Sequence, residues 1–209
     1  MHPAAAARAA LTIAIMALLT PQAAAEYKGK TDPDWPCQQI KTPTFSLASI
    51  WAGPQIDLDA QNWRNEGDVA DLEAKMAQRR VPIADVETAI TDFKAKAGPD
   101  AGPKLLRAFA AAFTDLTQQR SEIITGLDRV GRKQKALADR IREENEAVQN
   151  ASDPNQVGQA APAAKGQEQM LWDLRVFDDR RQTVTYVCET PTLIEQRIGA
   201  IARAVQKAL

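Results

Sequence analysis

The sequence predicts an all-α protein: a long antiparallel coiled-coil helical hairpin with a small helical pair and an extended N-terminal strap. Three observations predict it. The first is a run in which apolar residues recur at alternating intervals of three and four, through Leu106, Phe109, Phe113, Leu116, Arg120, Ile123, Leu127, Val130, Gln134, Leu137, Ile141, Glu144 and Val148. Ten of these thirteen positions are apolar, and such a repeat belongs to a helix that buries one narrow stripe against another helix. The second is the return of helical spacing through Met170, Leu174, Phe177 and Val184 and on through Ile194, Ile198, Ile201 and Val205. The third is a pair of cysteines, Cys37 and Cys188, one near each end of the chain.

Residues 1–25 read as a secretory signal, with Arg8 before the apolar stretch Ala9 to Leu19 and then the small residues Ala23, Ala24 and Ala25. Cleavage is expected after Ala25. No twin-arginine pair precedes the apolar stretch and no lipidation cysteine follows it, so the expected destination is the periplasm, as a product without a stable membrane span. Without Arg8 the chain has 25 basic and 27 acidic residues, a net charge of −2. That balance gives no basis for a nucleic-acid partner.

Residues 26–54 form the strap, because Pro33, Pro36, Pro43 and Pro54 interrupt any helix. One helical turn is expected from Ser46 to Trp51. Tyr27, Trp35, Phe45 and Trp51 supply apolar surface that should lie down on the helices. In an oxidising compartment Cys37 and Cys188 pair, and closing so long a loop stabilises by at most about 4 to 5 kcal/mol.

Residues 55–98 contain the short helical pair. Asp57 or Asp59 caps a turn containing Trp63, a first helix carries Val69, Leu72 and Met76, and Pro82 opens a second that stops at Gly98-Pro99. Residues 99–209 make the hairpin, with the long helix from Pro103 to about Gln149 spanning roughly 70 Å. Residues 150–166 hold little to bury and are expected to be a flexible tip. Pro191 either kinks the return helix or caps a new one.

If the chain folds back near residue 158, position x on the long helix faces about 316 − x on the return helix. The polar seam residues then find partners: Arg120 faces Glu195, Gln134 faces Arg181, and Glu144 lies between Trp172 and Arg175. Such groups fix register in a seam at some cost in stability. The same register sets Leu127 beside Cys188, and the crossing strap accounts for Gly126 and Gly131, which are costly in mid-helix.

Chemistry is constrained by what is missing. The only histidine is His2, inside the signal, and both thiols are committed to the disulfide. No catalytic residue, metal site or cofactor is therefore expected, and the chain reads as a non-enzymatic periplasmic scaffold or protein-interaction module whose partner is another envelope protein. Two alternatives remain. One is a peptidoglycan- or glycan-binding or glycan-active protein, using Trp51 and Trp63 with Asp57, Asp59, Glu66 and Asp68. The other is a holdase or assembly factor presenting an apolar patch. Candidate partner-binding residues are Trp51, Trp63, Arg129, Arg132 and Lys133, the last three lying with Lys135, Arg180 and Arg181 in a basic cluster flanked by Asp128, Asp178 and Asp179. The heptads that close a hairpin also permit pairing with a second chain, so a homo-oligomer stays open.

Overall fold

The computed structural model describes residues 32–59, 62–151 and 160–209. The signal segment, its cleavage site, Tyr27 and residues 152–159 of the expected tip lie outside the described residues; residues 160–166, also expected in the flexible tip, are instead helical, with Pro162 in the first turn, where a backbone amide hydrogen has no partner within the helix. Among the described residues four α-helices follow in order: α1 (Gly67–Ala77), α2 (Ile83–Ala97), α3 (Ala101–Ala151) and α4 (Ala160–Ala208). No strand occurs among the described residues. The protein is all-α, and α3 and α4 form an antiparallel hairpin, since Arg120 meets Glu195 and Leu127 clusters with Cys188.

Local chemistry sets the element ends. The Ser46 hydroxyl accepts from the Ala48 amide at 3.3 Å and starts a single turn, Leu47–Ser49, shorter than the expected Ser46 to Trp51. Pro82 precedes α2 rather than entering it, and its carbonyl accepts from Asp85 and Val86. Helix α2 ends at Gly98, whose φ of +57° is a left-handed conformation that a Cβ would strain. At the other end of the chain, α4 runs unbroken through a buried Pro191.

The main core sits at the base of the hairpin. Val69, Leu72 and Met76 of α1 and Val86, Ile90 and Phe93 of α2 pack on Leu105, Phe109, Phe113 and Leu116 of α3 and on Ile194, Ile198, Ile201 and Val205 of α4. The buried face of α3 is wider here than the seam alone, because Leu105, Ala108 and Ala112 join it to receive the helical pair. Two ion pairs dock α1 from its edge: Lys104 to Asp68 at 2.7 Å and Arg107 to Glu66 at 2.8 Å.

From the base, α3 and α4 continue as an arm. Beyond Leu127, α3 buries only Gly131 and Leu137. The α4 pattern also departs from expectation in the arm: Leu174 is exposed and Asp173 is buried, with Arg140 of α3 against its carboxylate. A charged partner on the facing helix thus takes the place of an apolar contact.

Candidate functional site

The strap crosses the hairpin at a smaller cluster of Leu127, Val184 and Cys188, against which Trp35, Cys37, Ile123 and Val130 pack. Cys37 and Cys188 form the expected disulfide, with Cα atoms 5.6 Å apart. Gly131 is the contact point on α3. A Cβ built there would stand 1.8 Å from the Asp34 carbonyl oxygen and 3.2 Å from the Pro36 ring. Gly126 behaves differently, since a Cβ there meets nothing within 4 Å. The strap explains Gly131 and not Gly126, which instead faces an open trough on the uncovered side of the hairpin, beside Ile123, Val130 and Val187. The five-residue separation accounts for the split, because it turns the two positions far apart around the helix axis.

Seam polar residues differ in outcome. Arg120, 1 % exposed, donates from Nε to Glu195 Oε1 at 2.6 Å, from Nη2 to the Thr42 carbonyl at 2.6 Å and from Nη1 to the Pro43 carbonyl at 3.3 Å. It therefore ties the strap to both helices. Gln134 does not pair with Arg181: its amide donates to the Phe177 carbonyl at 3.1 Å, and Arg181 points outward toward Asp178 at 3.6 Å. Glu144 lies beside Arg140, at 3.8 Å, and beside the buried Asp173, a position between Trp172 and Arg175 on the facing helix. Burial first, and the Asp173 charge second, push its carboxyl above the ordinary glutamate range.

The aromatic candidates separate as well. Trp51 stacks on Phe109 with centroids 4.8 Å apart, and its indole N–H donates to the Pro54 carbonyl at 2.7 Å. Phe45 stacks on Phe113 at 6.4 Å. Trp63 lies elsewhere, with the Arg64 guanidinium 4.5 Å from its ring centroid, at a cleft of about 300 Å³ shared with Leu58, Glu73, Asp115 and Gln118. The structure does not bring Trp51, Trp63 and the four expected carboxylates to one groove: Glu66 and Asp68 pair with α3, and Asp57 accepts from the Asp59 amide at 3.0 Å. The carboxylates at the Trp63 cleft are Glu73 and Asp115. Burial raises the Glu73 pKa, the Asp115 charge adds to the rise, and Arg64 opposes it. No sequence signal singled out this pair, because the two residues lie on different helices.

The basic cluster is less self-neutralised than its acidic neighbours imply. Asp128 is taken by Lys41 of the strap at 2.8 Å, and Lys41 also holds Asp32 at 2.7 Å. Arg132 reaches Asp34 of the strap at 3.7 Å. Arg129 and Lys133 remain without an ion pair among the described residues, and Lys133 stands at the rim of the Gly126 trough.

Arg197 was not legible as a site residue. It is 8 % exposed and donates to the carbonyls of Met76, Val81 and Lys75 at 2.8, 2.7 and 3.2 Å. These carbonyls belong to the end of α1 and the turn into α2, where a helix leaves acceptors unmet. Burial lowers its pKa. Among the described residues, no three His, Cys, Asp or Glu side chains converge as a metal would require. Comparison of the chain with known protein families, curated proteins and solved structures finds no match.

Proposed function

We propose that the chain is an exported, non-enzymatic periplasmic scaffold whose helical arm presents a contact surface to another envelope protein. One observation carries this reading: the hairpin continues far past the core that stabilises it, and the extended part exposes large apolar side chains. The main core ends on α3 near Leu116, whereas Leu171, Trp172 and Leu174 on the arm are 47 %, 61 % and 38 % exposed. Stability alone does not call for such an arm. The disulfide suits an oxidising compartment. No helix among the described residues is long and apolar enough to cross a membrane. The test is a photo-crosslinking residue in place of Leu174, with the exposed Gln196 near the base as control. An adduct with one envelope protein at position 174 and none at 196 is expected. Equal labelling at both positions removes the contact role of the arm.

The Trp63 cleft favours a second reading, glycan binding or glycan hydrolysis by Glu73 and Asp115. A carboxyl with raised pKa beside a second carboxylate is the minimum such hydrolysis needs, and a tryptophan face suits a sugar ring. Turnover of a cell-wall glycan by the purified chain, lost on Glu73→Gln and on Asp115→Asn, would replace the scaffold reading.

A further inference from the structure

On its strap side the hairpin is not filled. Residues 33–39 of the strap, Gly131 and Gln134 of α3, and the facing side of α4 surround a cavity of about 740 Å³, within the usual size of small-molecule sites, about 300 to 1,000 Å³. The strap is held over it by the Cys37–Cys188 bond and by the Gln39 amide, which donates to the Cys188 carbonyl. Trp35, Pro36, Phe177, Val184 and the disulfide make its apolar wall. Three separate elements thus build one concave surface, as ligand sites do.

The polar groups along the cavity suit a chain of amides. Gln134 spends its amide nitrogen on the Phe177 carbonyl, at 3.1 Å, and its Oε1 is buried with no partner. A buried acceptor in that state is unfavourable until an N–H donor reaches it. The Thr185 hydroxyl donates to the Arg181 carbonyl at 3.1 Å, which leaves its lone pairs to accept. Gln182, exposed on the same wall, offers both a donor and an acceptor. Peptide units, each with one N–H and one carbonyl, answer such a set.

Charge sets the length of the ligand. Arg181 and Glu189 both line the cavity and stand eight residues apart on α4, about 12 Å along the axis. Glu189 has no ion pair among the described residues, and the pairing of Arg181 with Asp178, at 3.6 Å between exposed side chains, is of a kind that contributes little. An extended chain advances about 3.3 to 3.6 Å per residue, so three or four residues bring an N-terminal ammonium to Glu189 and a C-terminal carboxylate to Arg181. We infer that the strap-side cavity binds a short free peptide of that length, extended along α4, with its apolar side chains against Trp35, Phe177 and the disulfide. A neutral glycan answers neither charge, and one face of Trp35 is already taken by Lys41, 5.6 Å from the ring centroid. A fatty acid answers Arg181 alone, and an internal segment of a partner protein has no termini to offer. The inference goes beyond the scaffold reading and does not rest on it, since Leu174 lies outside the cavity.

The test is calorimetric titration of the purified, oxidised chain with tetraalanine at low ionic strength, where charges at a rim are least screened. Saturable binding with Kd of roughly 100 µM is expected. Dialanine, too short to reach both charges, should bind about tenfold more weakly. N-acetylation of the tetrapeptide should weaken binding to the wild type about three- to fivefold and make no difference to Glu189→Gln, and C-terminal amidation should do the same to the wild type and make no difference to Arg181→Gln. Both side chains are exposed, so the helicity of either variant should be unchanged. A wild-type chain with no saturable binding at roughly 2 mM peptide overturns the inference. So do blocked peptides that bind as tightly as free ones, dialanine that binds as tightly as tetraalanine, or blocking penalties that persist in both variants, which would place the peptide elsewhere. Any of these results leaves the crosslink expected at position 174 untouched, so the two readings fall separately.

Discussion

The same substitution at two glycines five residues apart on α3 should have opposite effects. Glycine in mid-helix costs up to about 1 kcal/mol against alanine, so Gly126→Ala, whose new Cβ meets open space, should recover about that much. At Gly131 the gain in propensity is identical but the Cβ stands 1.8 Å from a backbone carbonyl oxygen, about 1.6 Å short of ordinary contact. The strap has little room to yield. Cys37, three residues beyond Asp34, is bonded to α4, and Lys41 holds both Asp32 and Asp128. Overpacking of this kind costs about 1 to 3 kcal/mol, which leaves Gly131→Ala a net loss of up to about 2 kcal/mol. For a chain of this length 1 kcal/mol moves Tm by roughly 2 to 4 °C. Thermal unfolding of the oxidised proteins should therefore place the two variants on opposite sides of the wild type. Equal shifts, or a stabilised Gly131→Ala, would refute the placement of the strap across α3.

Two further predictions concern the polar seam. Arg120→Met should cost about 3 kcal/mol, since it removes a buried charge whose three bonds join α4 and the strap to α3; with Arg120 already replaced, Glu195→Gln should cost less than about 1 kcal/mol, and additive losses in denaturant unfolding would deny the coupling. Glu144→Gln should raise Tm at pH 7 and leave it unchanged below the ordinary glutamate value of 4.5, because a carboxyl with raised folded-state pKa contributes stability at low pH that is lost as pH rises through that pKa; a Tm difference independent of pH would show that burial beside Asp173 is not what perturbs it.

The hairpin was legible because two helices with heptad spacing constrain each other: once the turn is placed near residue 158, Arg120 finds Glu195 and Leu127 finds Cys188 without further information. Small errors in register matter more toward the tip. Gln134 bonds a backbone carbonyl that no side-chain pattern announces. Asp173 was hidden for a related reason, since a buried carboxylate beside an arginine on the opposite helix looks like surface when one helix is read alone. The Trp63 cleft is wholly tertiary. Glu73 comes from α1 and Asp115 from α3, and only the docking angle of the helical pair brings them together. Strap aromatics were legible as a group, from apolar surface in a proline-rich segment, but which ring would meet which helix was not.

The continuity of α4 through Pro191 follows from where its anchors fall. A proline inside a helix removes one hydrogen bond and crowds the preceding turn, at about 3 kcal/mol. The carbonyl it leaves without a partner is that of Val187, a residue on the exposed side of α4. On either side of the proline the helix is held to separate parts of the chain: Cys188 to Cys37, Glu195 to Arg120, and Arg197 to the carbonyls that end α1. Breaking α4 at Pro191 would displace Cys188 relative to Glu195 and Arg197, so the strap and the helical pair could not both keep their bonds. The cost of one backbone hydrogen bond is smaller than the loss of either anchor. The helix that the local sequence would interrupt is thus kept whole by contacts made up to 151 residues away.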